Sequence, residues 1–269
     1  MQCLEIIMDK FIFKDFYGII DLLDIMKILR SENGCPWDRE QNHQSIRKNL
    51  LEETYEVLEA IDNEDSDLLC EELGDLLLQI VFHSRMEEEC GNFDFDKVAN
   101  DICQKLIIRH PHVFGDVNVS DSTEVLKNWD SIKQKTKNQE SYSETLESVP
   151  KVFPALLRSY KLLQRAERAG INYPVTSTAE NLSLNVSKLN NSLDNSDEAK
   201  RIIGNILFNC AEISRKLGLD PEECLQKQNE NYIDTFKKSE DLLRQKGTDF
   251  KSLSINELNA VWQEAEKLK

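Results

Sequence analysis

Apolar residues return every three or four positions over most of this chain, and that period constrains the fold more than any other feature. The first clear stripe is Ile19, Leu22, Leu23, Ile25, Met26, Ile28 and Leu29, which falls on one side of a helix at 3.6 residues per turn. It stops at "SENGCPWD" (31–38), where Gly34 and Pro36 mark a turn. The same period predicts helices over about 43–62, 67–90, 94–108 and 121–138, then 153–169, 178–193, 197–217, 220–246 and 254–268. Alternating, strand-like segments are few, and only 9 Gly and 6 Pro interrupt 269 residues. The fold class is therefore all-α.

A formal net charge of −16 leaves no basic face for nucleic acid or for an anionic membrane, so neither is expected as a partner. The seven cysteines are scattered and form no CxxC, which points to a reducing cytoplasm rather than a disulfide framework or a zinc site. Glu5, Asp9, Lys10, Lys14 and Asp15 break the apolar N-terminal stretch, which reads as neither signal peptide nor membrane span. "GDLLLQIVFHSR" (74–85) is echoed by "GNILFNCAEISR" (204–215), as two copies of one helical module would be. The expected organisation is an extension of no assigned role at 1–16, a first module at 17–138, a polar linker at 139–152 and a second module at 153–269.

The acidic residues of the first module are placed unusually. On a helix from Leu50 to Ile61, Leu50, Thr54, Val57, Leu58 and Ile61 share a face, and Glu53 and Glu56 flank it, with Glu52 further out. From Leu68 to Glu89 the face is Leu69, Leu73, Leu76, Leu77 and Ile80, flanked by Glu72 and Asp75. Two antiparallel helices packed on these faces bring four carboxylates together at the margin of the apolar stripe, where water is scarcer. At an effective dielectric of ~20, one like-charge pair near ~4 Å costs roughly 4 kcal/mol, so such groups either gain protons or share a cation. All-oxygen ligands would suit Mg²⁺, or Mn²⁺, rather than zinc. Spacing alone leaves the other reading open, an acidic helix pair facing solvent. The intervening "DNEDSDLLCEEL" (62–73) lacks the Gly and the final Glu of an EF-hand and reads as a polar connection. Leu78 and Phe82 make the second helix apolar nearly all round, as in a larger bundle or a dimer core.

At these residues the sequence resembles the MazG family of all-α nucleoside triphosphate pyrophosphohydrolases. That family carries EExxE on one helix and ExxD on the next; here they read "EETYE" (52–56) and "ELGD" (72–75). The flanks "ENGCPWDREQ" (32–41), "RHPHVFGD" (109–116), "EVLKNWDSIK" (124–133) and "VPKVFPALLRSYKLLQRA" (149–166) agree as well. "LQKQNENY" (225–232) and Trp262 are similar to the second module of two-copy members. The resemblance covers about 17–268. It implies tandem MazG-like bundles, a homodimer, and Mg²⁺-dependent cleavage of nucleoside triphosphates into monophosphate and diphosphate. Glu53, Glu56, Glu72 and Asp75 match the family's metal positions. A cation there would also reverse the sign of a site that otherwise repels a triphosphate. Glu52 and Glu53 are the catalytic candidates; for Glu52, a general base competes with an exposed or dimer-contact glutamate. Lys48, Lys105 and Arg109 are candidate phosphate contacts, against ordinary solvated helix cations. His110 and His112 read as a helix end broken by Pro111 rather than as phosphate contacts, Trp37 and Trp129 as core or interface packing rather than as base-stacking rings, and His83 as a satisfied core histidine.

The second module departs from this pattern. Ile202 stands where Glu72 stands in the first and Asn205 where Asp75 stands, and "NLSLNVSKLNNS" (181–192) has no acidic residue. Two-copy members are usually credited with activity at this copy. Leu182, Val186, Leu189 and Leu193 keep a helical stripe, so the fold is expected to persist without the metal. Lys227 and Trp262, with Asn229, stand where the family contacts nucleotide and complete the substrate-binding candidates, either as vestiges or as contacts that hold a nucleotide without cleaving it. Two functions compete: an enzyme acting at its first module with the second as scaffold, and a catalytically impaired nucleotide-binding or dimerisation protein that keeps the fold. The intact set at 53, 56, 72 and 75 favours the enzyme.

Overall fold

A computed structural model describes residues 11–121, 124–125, 128–129, 132 and 141–268. The chain is 73% helical with no strand among the described residues, as the hydrophobic period requires. It divides into two compact units, Met1–Thr136 and Lys137–Lys269.

The first unit contains α1 (Ile19–Leu29), α2 (Pro36–Glu40), α3 (Arg47–Asp62), α4 (Ser66–Glu89), α5 (Phe95–Arg109) and α6 (Pro111–Phe114). The helix expected over 121–138 lies mostly outside the described residues; Glu124, Val125, Asn128, Trp129 and Ile132 are helical. Only residues 63–65 separate α3 from α4, because Asp65 caps α4 by accepting from the N–H groups of Asp67 and Leu68. The polar connection read over 62–73 is thus mostly the first turns of α4. Gly91 closes α4 in the left-handed region, φ 73°, and the Asn92 N–H then donates to the Glu87 carbonyl. The turn between α1 and α2 needs Gly34, since a Cβ there would overlap the carbonyl oxygens of Ile28 and Leu29.

Met26 from α1, Ile46 just before α3, and Val81, Phe82 and Met86 from α4 form the core of this unit. Each such side chain contributes about 1.5–3 kcal/mol on burial. Arg30 closes one end. Its guanidinium lies 5.2 Å from the Phe82 ring centre, pairs with Glu89 at 2.8 Å and donates to the carbonyls of Asp38 and Gln41.

The outer faces differ from the helical wheel. Val57 and Ala60 of α3 are buried, but Leu58 and Ile61 are 49% and 51% exposed. Leu51 and Tyr55 on α3 and Leu73 and Ile80 on α4 are also exposed, and α5 buries no residue. The core of this unit occupies one side of the α3–α4 pair, so the all-round apolar character of α4 is not matched by all-round burial within one chain.

The second unit contains α7 (Tyr142–Glu147), α8 (Ala155–Arg168), α9 (Val175–Asn190), α10 (Ser196–Lys216), α11 (Pro221–Gln245), a 3-10 turn (Phe250–Ser252) and α12 (Ile255–Lys267). The stretch read as linker holds α7. Ser141 and Glu144 form a capping box at its start, Arg165 donates to the Thr145 carbonyl and to Ser148 Oγ, and Val149 is fully buried. Ser141, Glu144, Thr145 and Ser148 spend polar groups on the cap, on the turn and on one arginine, which composition cannot show. α9 packs on α10 as α3 packs on α4, so each copy of the sequence repeat sits on the second helix of such a pair. Arg215 on α10 pairs with Glu212 and reaches Glu167 of α8. Among the described residues no helix is long and apolar enough to cross a membrane.

Candidate metal centre

The short connection between α3 and α4 folds them back on each other, and their acidic flanks meet. Glu53, Glu56 and Glu72 each place a carboxylate oxygen within 4.8 Å of the others. Glu53 and Glu72 are half-buried and Glu56 is exposed. Asp75 stands outside that tight group, yet its charge acts on both Glu53 and Glu72. Burial pushes the Glu53 carboxyl above the usual carboxylate range, helped by its hydrogen bond with Glu56 and by the charges of Asp75, Glu56 and Glu72. Glu72 is pushed the same way, first by burial and then by Glu56, Asp75, Glu71 and Glu59. The charges that act most strongly on these two groups are all negative. An all-oxygen donor set, crowded and uncompensated, has the chemistry of a site for a hard divalent cation.

The model of the MazG nucleotide pyrophosphohydrolase domain matches residues 41–114, the segment that holds both acidic helices. The chain is 36% identical over 252 residues to the nucleoside triphosphate pyrophosphohydrolase of Escherichia coli K12, spanning 91% of this chain and 96% of that protein. The chain belongs to the MazG family. It is also 37% identical over 246 residues to the nucleoside triphosphate pyrophosphohydrolase/pyrophosphatase MazG of Thermotoga maritima, spanning 91% and 94% of the two chains. The Bacillus subtilis protein YabN is 38% identical over 247 residues, which are 90% of this chain and 50% of YabN.

The other candidate residues of this MazG chain are placed unevenly. Lys48 and Glu52, read separately as phosphate contact and base, pair with each other at 2.7 Å on the exposed side of α3. Lys105 is exposed on α5, where its charge helps to lower the pKa of Asp101. Arg109, one turn on, lies over the Trp129 ring at 5.2 Å, and His110 meets the same ring edge-on at 4.9 Å. The His110 Nδ1 contacts the Leu106 carbonyl at 2.6 Å, the helix-end role read for it. Trp129 is packed, whereas Trp37 is 57% exposed.

In the second unit, Trp262 meets Tyr232 at a tilt, with ring centres 4.9 Å apart and planes inclined by 42°, and donates to Glu266. It lines a cavity of about 430 Å³ with Asp234, Lys238 and Glu266. Lys227 is not among the lining residues, and Lys238 is paired with Asp234 at 2.6 Å. A triphosphate would meet a net negative wall there. Ile202 is fully buried, and among the described residues the one group of three or more His, Cys, Asp or Glu side chains whose ligand atoms all lie within 4.8 Å of one another is in the first unit.

One polar arrangement escaped sequence reasoning. His83 is not a satisfied core histidine: its Nδ1 lies 2.7 Å from the Nδ1 of His43, and its Nε2 is buried without a partner. The contact joins residues 40 positions apart, one of them in a turn, and no helical spacing signals it.

Proposed function

We propose that the first unit is the catalytic centre of a Mg²⁺-dependent nucleoside triphosphate pyrophosphohydrolase, converting a nucleoside triphosphate and water into a nucleoside monophosphate and diphosphate. The observation that carries this reading is the cluster of Glu53, Glu56 and Glu72, within 4.8 Å, in which neighbouring carboxylates push the pKa of Glu53 and of Glu72 upward. The names of the Escherichia coli and Thermotoga maritima relatives support the reaction class. Glu53, Glu56 and Glu72 would hold the ion, with Asp75 supplying further negative charge. When bound, the ion neutralises phosphate charge and polarises a phosphoryl oxygen or a water.

The chain supplies the rest. Water attacks the α phosphorus, the bond to the α–β bridging oxygen breaks, and the water proton passes to a carboxylate; Glu53 and Glu52 are the candidates. The Lys48–Glu52 pair is exposed, and such a pair is worth about 0–1 kcal/mol, so either member is easily recruited by substrate. Lys105 is an exposed cation on α5, and Arg109 is held against Trp129. The second unit serves as scaffold. Leu51, Tyr55, Leu58 and Ile61 are exposed and are the surface a second copy would cover in a homodimer, the working form in this reading.

Diphosphate release across the common ribo- and deoxynucleoside triphosphates, with and without Mg²⁺, tests the reaction. One diphosphate per monophosphate is expected from at least one substrate, with a fall of about a hundredfold or more on chelation. Orthophosphate as the first product, or no release with any divalent ion, overturns the reading. Sedimentation should give twice the 31.1 kDa chain mass; a stable monomer removes the dimer from it.

A further inference from the structure

The first unit also holds a run of polar side chains that ties the start of α3 to α4. His43, in the turn before α3, places Nδ1 2.7 Å from the Nδ1 of His83 on α4, and the two rings lie parallel, 5.0 Å apart. The other nitrogen of His43, Nε2, lies 2.7 Å from Glu87 Oε1. Asn92 donates to the second oxygen of Glu87.

Two nitrogens this close need one proton between them, so one ring donates and the other accepts. In the neutral pair, His43 Nε2–H donates to Glu87 and His83 Nδ1–H donates to His43 Nδ1. The buried, unpartnered Nε2 of His83 is then a bare lone pair. With a third proton, His43 has an N–H on each nitrogen and donates to both Glu87 and His83, provided the proton of His83 sits on Nε2. A fourth sets two N–H groups against each other and must part the rings.

α3 has no side-chain cap at its start. Ile46, 2% exposed, and His43 anchor that end. The placement of α3 in turn sets where Glu53 and Glu56 stand against Glu72. We propose that His43, His83 and Glu87 form a proton-gated clasp, a set of positioning residues that holds α3 on α4 and thereby tunes the affinity of the acidic cluster for its cation. This inference rests on the metal-site reading above.

The charges on the neighbouring helices are paired, line another cavity or face solvent. On α1, Arg30 is taken by Glu89, and Asp24 and Lys27 line a separate cavity with Arg85, Glu88, Asp94 and Asp96. On α3, Arg47 and Lys48 are exposed. Burial, followed by the charge of His43, holds His83 below the ordinary imidazole pKa. With the folded value depressed, the clasp is at full strength above the unfolded imidazole pKa of about 6.5. It weakens as pH falls from there toward the folded value.

The test is Mn²⁺ affinity, read from the free-ion electron paramagnetic resonance signal, for the wild type and His83→Asn. The asparagine amide keeps an N–H donor near the Nδ1 position and does not titrate. At about pH 7.5 the two should agree within about twofold; at about pH 5.5 the variant should bind about fivefold tighter, the size of one hydrogen bond. Protonation of the cluster itself is common to both proteins and drops out of the ratio. Equal losses in both proteins overturn the gating. Imidazole ¹⁵N spectra of the metal-free protein give a second reading: one shared Nδ1 proton and a coupled titration are expected, and two independent, ordinary titrations overturn the clasp. Should neither protein bind Mn²⁺ at either pH, the metal-site reading fails and gating of metal affinity with it, while the ¹⁵N spectra still judge the clasp alone.

Discussion

Replacing Glu53 and Glu72 together by glutamine is expected to cut Mg²⁺-dependent diphosphate release by about a thousandfold or more, and at the same time to raise the thermal midpoint of the metal-free protein. Both effects have one cause. Burial and neighbouring negative charge raise the pKa of Glu53 and of Glu72, so the folded state holds these protons more tightly than the unfolded chain does. The cluster therefore lowers stability above the raised pKa values, and the penalty disappears as pH falls through them. Glutamine mimics the protonated acid at every pH. Thermal scans in chelator should show the variant melting higher near neutrality, with the gap closing toward acid pH. A variant that loses both activity and stability would mark the two carboxylates as structural partners rather than a stressed metal site.

Ile202→Glu carries the second large effect. The substitution restores, in sequence, the acid that the first unit has at Glu72, yet it is expected to lower the unfolding free energy by about 3–5 kcal/mol. Ile202 is fully buried, while Glu72 is only half-buried and shares its position with other carboxylates. On α9, the helix packed against α10, residues 181–190 offer Asn, Ser, Leu, Val and one Lys but no acid. A lone carboxyl there must be buried unpaired or stay protonated, and added Mg²⁺ should return none of the loss. Urea unfolding with and without Mg²⁺ measures it. A change under ~1 kcal/mol, or rescue by the ion, would mean that the second unit keeps a working acid pocket.

Much of the fold was legible because a helix needs only local sequence. The 3.6-residue period located nine long helices to within a few residues, and the two acidic pairs were legible because residues three apart share a flank and a short connection forces the helices back on each other. The Lys48–Glu52 pair was legible in principle, at i, i+4 on one helix, although the wheel treated its members separately. What escaped depends on partners distant in sequence. Leu58 and Ile61 look like core residues on a wheel, but burial depends on what covers a face. The clasp of His43 and His83 joins a turn to a helix, and α7 hides in a stretch whose polar residues serve as caps. The weak candidates Lys227 and Trp262 lie on different helices, and no periodicity could say whether they meet.

The most direct measurement is a calorimetric titration of Mn²⁺ into the wild-type protein and into the Glu53→Gln, Glu72→Gln double variant. The wild type should bind the ion, and the variant should lose affinity by about a hundredfold or more, since two charged oxygen donors have become neutral amides. Equal isotherms for the two proteins would contradict the account, because the ion would then be held somewhere other than between α3 and α4.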